Sequence, residues 1–113
     1  MKRGDLVTIA VSGDYGKPRP ALIVQDNAFD LHPSVTVLPL TSELHEAPLF
    51  RVTVGPGRGT GLAKRSQVMV DKATTVPRAK IGSVIGRLDA ASVTLVDRAL
   101  RGFLGLASRY PTE

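Results

Sequence analysis

One arginine near the start of the chain stands between two prolines, in the segment Lys17-Pro18-Arg19-Pro20. Each proline fixes its own φ and has no N–H, and Pro20 also biases Arg19 toward extended backbone. The apolar run Ala21-Leu22-Ile23-Val24 follows directly and predicts a strand. We therefore expect the guanidinium of Arg19 at the start of a strand, where its planar group of N–H donors suits the oxygens of a phosphate. The alternative is a surface cation that snorkels or pairs with a nearby acid.

Two hydroxyl side chains, Thr41 and Ser42, follow the apolar segment Val35-Thr36-Val37-Leu38-Pro39-Leu40. Proline cannot donate to a sheet ladder, so we expect this strand to bulge or end at Pro39. A bulge would re-aim the side chains of Thr41 and Ser42. The two hydroxyls are then plausible features of a site, although both are also ordinary turn residues.

Two further patterns suggest acid–base catalysis and phosphate binding, but their sequence context disfavours both roles. His32 and His45 would suit paired acid–base catalysis, yet they lie in separate predicted loops beside prolines or acids. The glycine-rich segment 55–61 lacks the Gly-Lys-Ser/Thr ending of a P-loop, and no long helix follows it. We interpret it as a flexible hairpin tip from which Arg58 could touch a polyanion.

The pattern of apolar residues predicts one mainly β domain of five to seven strands with a C-terminal helix. The domain is expected to span residues 1–106, with a loose tail at residues 107–113. The predicted strands are residues 5–11, 20–25, 35–40, 49–54, 62–70 and 81–88, with a short extended piece at 74–77. A helix is expected from Ala90, with Asp89 as its cap and Gly105 as its end. Its apolar stripe predicts packing on the sheet and comprises Val93, Val96, Leu100, Phe103 and Leu104.

The composition narrows the class of protein. The chain has 113 residues, of which 42% are hydrophobic, and it has no cysteine, which excludes a disulfide framework and fits a reducing cytoplasm. No apolar stretch approaches the roughly 20 residues that span a bilayer, so no membrane association is expected. The net charge of +5 favours an anionic partner such as nucleic acid, and the basic residues are spread out rather than gathered in a polybasic tail.

An ordered set of short segments resembles the MazF/PemK toxins, the ribonuclease half of bacterial toxin–antitoxin pairs. The resemblance covers nearly the whole chain and ends with the amphipathic helix. Its segments are Arg3-Gly4-Asp5, Arg19-Pro20-Ala21-Leu22-Ile23-Val24, Val37-Leu38-Pro39-Leu40-Thr41-Ser42, Gln67-Val68-Met69-Val70-Asp71, Thr75-Val76-Pro77-Arg78 and Ile85-Gly86-Arg87-Leu88.

The resemblance implies a fold and a set of partners. The fold is a small SH3-like β-barrel of the MazF/CcdB type, which forms a homodimer in the cytoplasm. The implied activity is sequence-specific cleavage of single-stranded RNA, including mRNA, without a metal or another cofactor. The implied protein partner is a cognate antitoxin whose flexible, acidic segment occupies the same groove as RNA. Both ligands are polyanions, which agrees with the positive net charge.

RNA cleavage without a metal uses the ribose 2′-hydroxyl as an internal nucleophile and yields a 2′,3′-cyclic phosphate and a 5′-hydroxyl. The reaction needs a base, an acid and a cation near phosphorus. The resemblance places Arg19 and Thr41 in the active site, as the cation and as a hydroxyl that orients the phosphate. Asp71 matches a proposed general base of the family, and the alternative for Asp71 is a salt bridge to Lys72 or Arg78. The residues expected to bind RNA are Lys17, Tyr15, Ser42, Arg58 and Lys72.

The chain departs from the family pattern in two places. Met69 stands where some relatives carry an arginine, so the proton donor to the leaving group is open between Arg19, Lys17 and an unassigned residue. The loop before Arg19 is shorter than in many relatives, so the recognised RNA sequence is open as well. Two other functions also fit the barrel, a non-catalytic gyrase-binding toxin like CcdB and an RNA-binding barrel without turnover. The CcdB function is disfavoured because the chain ends in Tyr110-Pro111-Thr112-Glu113, without the bulky C-terminal residues of those toxins.

Overall fold

The computed structural model describes residues 1–10 and 17–106, which form a mainly β architecture with one C-terminal α-helix. Tyr15, the end of the first predicted strand and the expected tail at residues 107–113 lie outside the described residues. The strands are β1 (Asp5–Ile9), β2 (Arg19–Ile23), β3 (Ser34–Thr41), β4 (Arg51–Val54), β5 (Ser66–Met69), β6 (Thr74–Pro77) and β7 (Ile81–Arg87), and the helix is α1 (Ala90–Leu104). Three single-turn 3-10 helices connect them, at Asn27–Phe29, Val70–Lys72 and Arg78–Lys80.

The seven strands form one antiparallel sheet, in which six follow the order β4-β5-β3-β2-β1-β7 and β6 pairs with β3 beside this path. The long strand β3 is its centre, since it pairs with β2 along one edge and with β6 and then β5 along the other. The sequence-based prediction of a mainly β fold with five to seven strands and a final helix is therefore confirmed. Pairing among the described strands leaves β4 and β7 at the two ends, so strand pairing does not close the sheet into a barrel.

The loop between β4 and β5 brings the two ends of the curled sheet together. The amide of Arg87 donates to the carbonyl oxygen of Gly59 at 2.8 Å. A Cβ on Gly61, whose φ is +71°, would lie 1.9 Å from the carbonyl oxygen of Ile85. A Cβ on Gly86 would lie 2.2 Å from the backbone of Thr60. The backbones of the β4–β5 loop and of β7 thus meet so closely that neither Gly61 nor Gly86 has room for a side chain.

The prediction that β3 would bulge or end at Pro39 is wrong. The strand runs on to Thr41, and Pro39 keeps regular register opposite Ala21 of β2. On its other edge, β3 pairs with β6 up to Val37 and with β5 from Leu40. Pro39 therefore lies where β3 changes partners, a position that tolerates a missing N–H.

Two apolar clusters cover the two faces of the central strands. The larger includes Leu22, Leu38 and Val68 and packs against Val96 of α1, whereas the smaller includes Ala21, Ile23 and Val37. Adjacent residues of β2 belong to different clusters, so this strand is buried on both faces, as its continuous apolar run predicts.

The helix begins and ends as predicted but packs less completely. The carboxylate of Asp89 accepts a hydrogen bond from the Ser92 amide at 2.7 Å, and Gly105 ends the helix with a φ of +68°. Val96 is buried, but Phe103 and Leu104 remain about half exposed, which corrects the prediction for that end of the stripe. In the last turn, the ring of Phe103 lies beside that of Phe50, at 6.4 Å between centroids. No helix in the described part of the chain is long and apolar enough to span a membrane.

Candidate active site

The register between β2 and β3 brings Arg19 and Thr41 together. Ala21 pairs with Pro39 and Leu22 with Leu38, so continuing the same register by two residues places Arg19 opposite Thr41. Arg19 opens β2 and Thr41 closes β3, at the same edge of the sheet. Directly opposed residues of antiparallel strands point to the same face. The guanidinium and the hydroxyl that were predicted separately therefore share one edge and one face of the sheet, and Arg19 is exposed there.

The hydroxyl of Thr41 is held by the turn that follows it. The Glu43 amide donates to Thr41 Oγ1 at 3.1 Å. This bond uses a lone pair of the oxygen and leaves the hydroxyl proton to donate elsewhere. Thr41 is thus arranged as a hydrogen-bond donor toward a ligand that lies over this edge.

A buried glutamine fixes the loop beyond Thr41. Gln67 of β5 lies directly opposite Thr41 and is only 5% exposed. Its Oε1 accepts from the His45 amide at 3.0 Å, and its Nε2 donates to the His45 carbonyl oxygen at 2.8 Å and to Thr53 Oγ1 at 3.3 Å. The side-chain amide of Gln67 therefore acts as a clamp on the backbone of His45.

The structure places Asp71 in the turn that follows β5 and pairs it with Arg51. Asp71 lies in the 3-10 turn Val70–Lys72, four residues beyond Gln67 along the chain. Its two carboxylate oxygens accept from Nε and Nη2 of Arg51 at 2.9 and 3.3 Å. The alternative prediction, a salt bridge from Asp71 to Lys72 or Arg78, is wrong in its partner. Arg51 of the neighbouring strand β4 makes the salt bridge with Asp71.

The Arg51 pair sets the protonation state of Asp71. Burial by itself raises the pKa of this carboxyl group, but hydrogen bonds from the Arg51 side chain and from the backbone oppose it. The positive charges of Arg51 and Lys72 add to them, and the net effect lowers the pKa of Asp71 below its ordinary value of 3.8. Asp71 is therefore ionised at neutral pH.

The remaining predicted RNA-binding residues divide into two groups. Lys17 and Ser42 are exposed and flank the Arg19–Thr41 edge in sequence. Arg58 belongs to the β4–β5 loop, which packs on β7, and Lys72 shares its turn with Asp71, so neither is brought to that edge by the contacts described above. Within residues 1–10 and 17–106, no group of three or more His, Asp or Glu residues could hold a metal ion.

A model of the PemK-like, MazF-like toxins of type II toxin–antitoxin systems matches residues 2–104. The chain belongs to this toxin family. Its sequence is 49% identical to the probable endoribonuclease MazF of Mycolicibacterium smegmatis over 108 residues, which cover 95% of this chain and 99% of the relative. The resemblance found from the ordered segments is confirmed.

Solved structures of similar toxins share the fold. An endoribonuclease in complex with its cognate antitoxin, from a mycobacterial species, has a TM-score of 0.81 and 26% identity, with 96% of this chain and 98% of that chain covered. The Mycobacterium tuberculosis toxin MazF-mt6 has a TM-score of 0.79 and 26% identity, with coverage of 92% and 99%. The open, curled sheet with one final helix is thus the fold of these toxins.

Two residues that support the site of this toxin-family chain were missed from sequence. Gln67 is the one amide in the segment Ser66-Gln67-Val68-Met69-Val70, and an amide side chain in a buried strand is a signal of a local hydrogen-bonding role. Arg51 gave no such signal, because only the pairing of β4 with β5 sets it opposite Met69 and beside Asp71.

Proposed function

We propose that this chain is the toxin of a toxin–antitoxin pair and a metal-independent, sequence-specific endoribonuclease that acts on single-stranded RNA, including mRNA. The observation that carries the proposal is the register of β2 against β3, which, continued by two residues, sets Arg19 opposite Thr41. The family match and the name of the M. smegmatis relative support the activity. The complex of a related endoribonuclease with its cognate antitoxin supports the partner, which we propose binds through a flexible acidic segment. We further propose that the protein works in the cytoplasm as a homodimer.

In the proposed reaction, the 2′-hydroxyl attacks the adjacent phosphorus while a base removes its proton. The bond from phosphorus to the 5′-oxygen then breaks, the electron pair stays on that oxygen, and a proton donor converts it to a hydroxyl. Arg19 binds the non-bridging oxygens as charge builds on them. The hydroxyl of Thr41 donates a hydrogen bond to one of these oxygens. The products are a 2′,3′-cyclic phosphate and a 5′-hydroxyl.

The proposed base is Asp71. Its lowered pKa keeps the carboxylate ionised and able to accept a proton at neutral pH. The same lowered pKa makes it a weak base, because an efficient base has a pKa near the working pH. Its contribution would therefore come from position when RNA is bound, and its two bonds with Arg51 would fix that position.

Incubation with a defined single-stranded RNA in the presence of a chelator tests this function. We expect cut products with a cyclic phosphate, and we expect Arg19→Ala to cleave at least about 100-fold more slowly because a cation at the transition state is lost. Arg101→Ala is the matched control, since it removes the same charge from the exposed end of α1. A shift of RNA without cleavage would support the binding barrel, and gyrase inhibition without either would support a CcdB-like toxin. Sequencing RNA ends after brief expression would identify the cleavage sequence.

A further inference from the structure

The cleavage reaction needs a proton donor for the 5′-oxygen, and the residues predicted for this task are poorly suited to it. An arginine guanidinium holds its proton very tightly, so this type of side chain is a poor proton donor. Lysine also holds its proton far above neutral pH unless it is perturbed. Met69, where some relatives carry an arginine, has no proton to give. A donor that titrates near neutral pH would serve the reaction best, which is the property of an imidazole.

We infer that His45 is the catalytic residue that protonates the leaving 5′-oxygen, an inference that rests on the proposed nuclease function. The first support is position. His45 lies four residues after Thr41, and the loop between them is folded back by the bond from the Glu43 amide to Thr41 Oγ1. The amide and the carbonyl oxygen of His45 both form hydrogen bonds with the side chain of Gln67, which stands directly opposite Thr41.

The second support is that the clamp holds the main chain and leaves the ring accessible. Both bonds from Gln67 go to backbone atoms of His45, while its side chain is 55% exposed. The Glu43 carboxylate, on the same loop, lies 3.9 Å from His45 Nε2. The main chain of His45 is thus fixed, while its imidazole is accessible to a ligand.

The proposed step is a single proton transfer. As the bond between phosphorus and the 5′-oxygen breaks, the electron pair stays on that oxygen and the imidazolium N–H gives it a proton. The ring is left neutral and regains a proton from water before the next turnover. No oxidant, metal or further reactant is needed.

The other histidine is excluded from this step by its place in the fold. His32 precedes the opposite end of β3, and its Nδ1 accepts from the Ser34 amide at 3.1 Å. Its carbonyl oxygen accepts from Arg78 Nε at 2.8 Å, which ties it to the turn before β7. The two histidines therefore do not form a catalytic pair, and His32 provides a matched control for His45.

The test compares His45→Gln with wild type on two RNA substrates, one natural and one with sulfur in place of the leaving 5′-oxygen. A thiolate leaves without protonation, so it removes the need for an acid. We expect His45→Gln to cleave the natural RNA about 100-fold more slowly and the sulfur substrate at nearly the wild-type rate. His32→Gln should match wild type on both substrates.

Two outcomes would overturn the inference. If His45→Gln slows both substrates equally, the ring binds RNA or orders the loop and does not donate a proton. If it slows neither, His45 has no part in cleavage. Both outcomes leave the nuclease itself intact, whereas absence of cleavage by the wild-type protein would count against the proposed function instead. Affinity for an RNA whose attacking 2′-hydroxyl is replaced by hydrogen separates binding from chemistry in each variant.

Discussion

The ion pair of Arg51 and Asp71 is the best-defined charged interaction of the site region. Their side chains are 11% and 19% exposed, so solvent screens the pair only weakly. The guanidinium also lies 5.9 Å from the centre of the Phe50 ring. The sequence showed Asp71 as a candidate base but could not show its partner, because the two residues are 20 positions apart and meet through strand register.

Replacing Asp71 by Asn should lower the free energy of unfolding by about 2 kcal/mol at neutral pH, because Arg51 is left half-paired in a mostly buried position. The folded state lowers the pKa of Asp71, so its stabilising effect is complete above the ordinary value of 3.8. That effect is lost as the pH falls through the lowered folded-state pKa. Urea denaturation at pH 7 and at about pH 2 should therefore show a smaller difference at the lower pH.

Glu43→Gln is the control for that measurement, since the Glu43 side chain is 81% exposed and should affect stability little. An equal loss at both pH values would mean that the carboxylate charge is not the source of stability. Cleavage by the folded Asp71→Asn protein then tests the proposed base separately, and a wild-type rate would exclude that role.

At the scale of elements, the sequence predicted what depends on local signals. The cap at Asp89 and the stop at Gly105 follow from side-chain hydrogen bonding and left-handed backbone, which need no distant partner. Pro39 was misread because its tolerance depends on which strands flank β3 at that point. Arg19 and Thr41 were each predicted, but their meeting depends on the register of β2 against β3.

The contact between the β4–β5 loop and β7 makes a prediction for two glycines of the same loop. Gly61→Ala should destabilise the fold by about 3 kcal/mol or more, because the new Cβ would overlap the Ile85 carbonyl and the backbone is left-handed. Gly59→Ala should change stability by less than about 0.5 kcal/mol, since nothing lies within 4 Å of its Cβ position. Urea denaturation of both variants checks this, and equal midpoints would show that the loop does not pack on β7.

The whole molecule carries a net charge of +5. This charge attracts RNA of any sequence and does not produce a sequence preference. Composition alone predicted this charge and the anionic class of the partners. It could not predict where the charge acts, because only the fold decides which loop or turn carries Arg58 and Lys72.

Binding of a non-cleavable single-stranded RNA should weaken as salt rises. Each cation that contacts a phosphate contributes about 0.7 to the slope of log affinity against log salt, so Lys17→Ala should make the slope shallower by about that amount. Arg101→Ala removes the same charge at the far end of α1 and should leave the slope unchanged. Fluorescence anisotropy titrations over a range of salt concentrations measure both. Equal slopes for Lys17→Ala and wild type would place Lys17 outside the RNA path.

The clamp formed by Gln67 also bears on how such a toxin can change its target in evolution. Within this loop Gln67 bonds only the main chain of His45, so it makes no demand on the side chains of Leu44 and of residues 46–49. Those side chains can be exchanged while the root of the loop stays where it is. New RNA preferences could therefore arise by point substitution along this stretch, without a cost to the sheet beneath it.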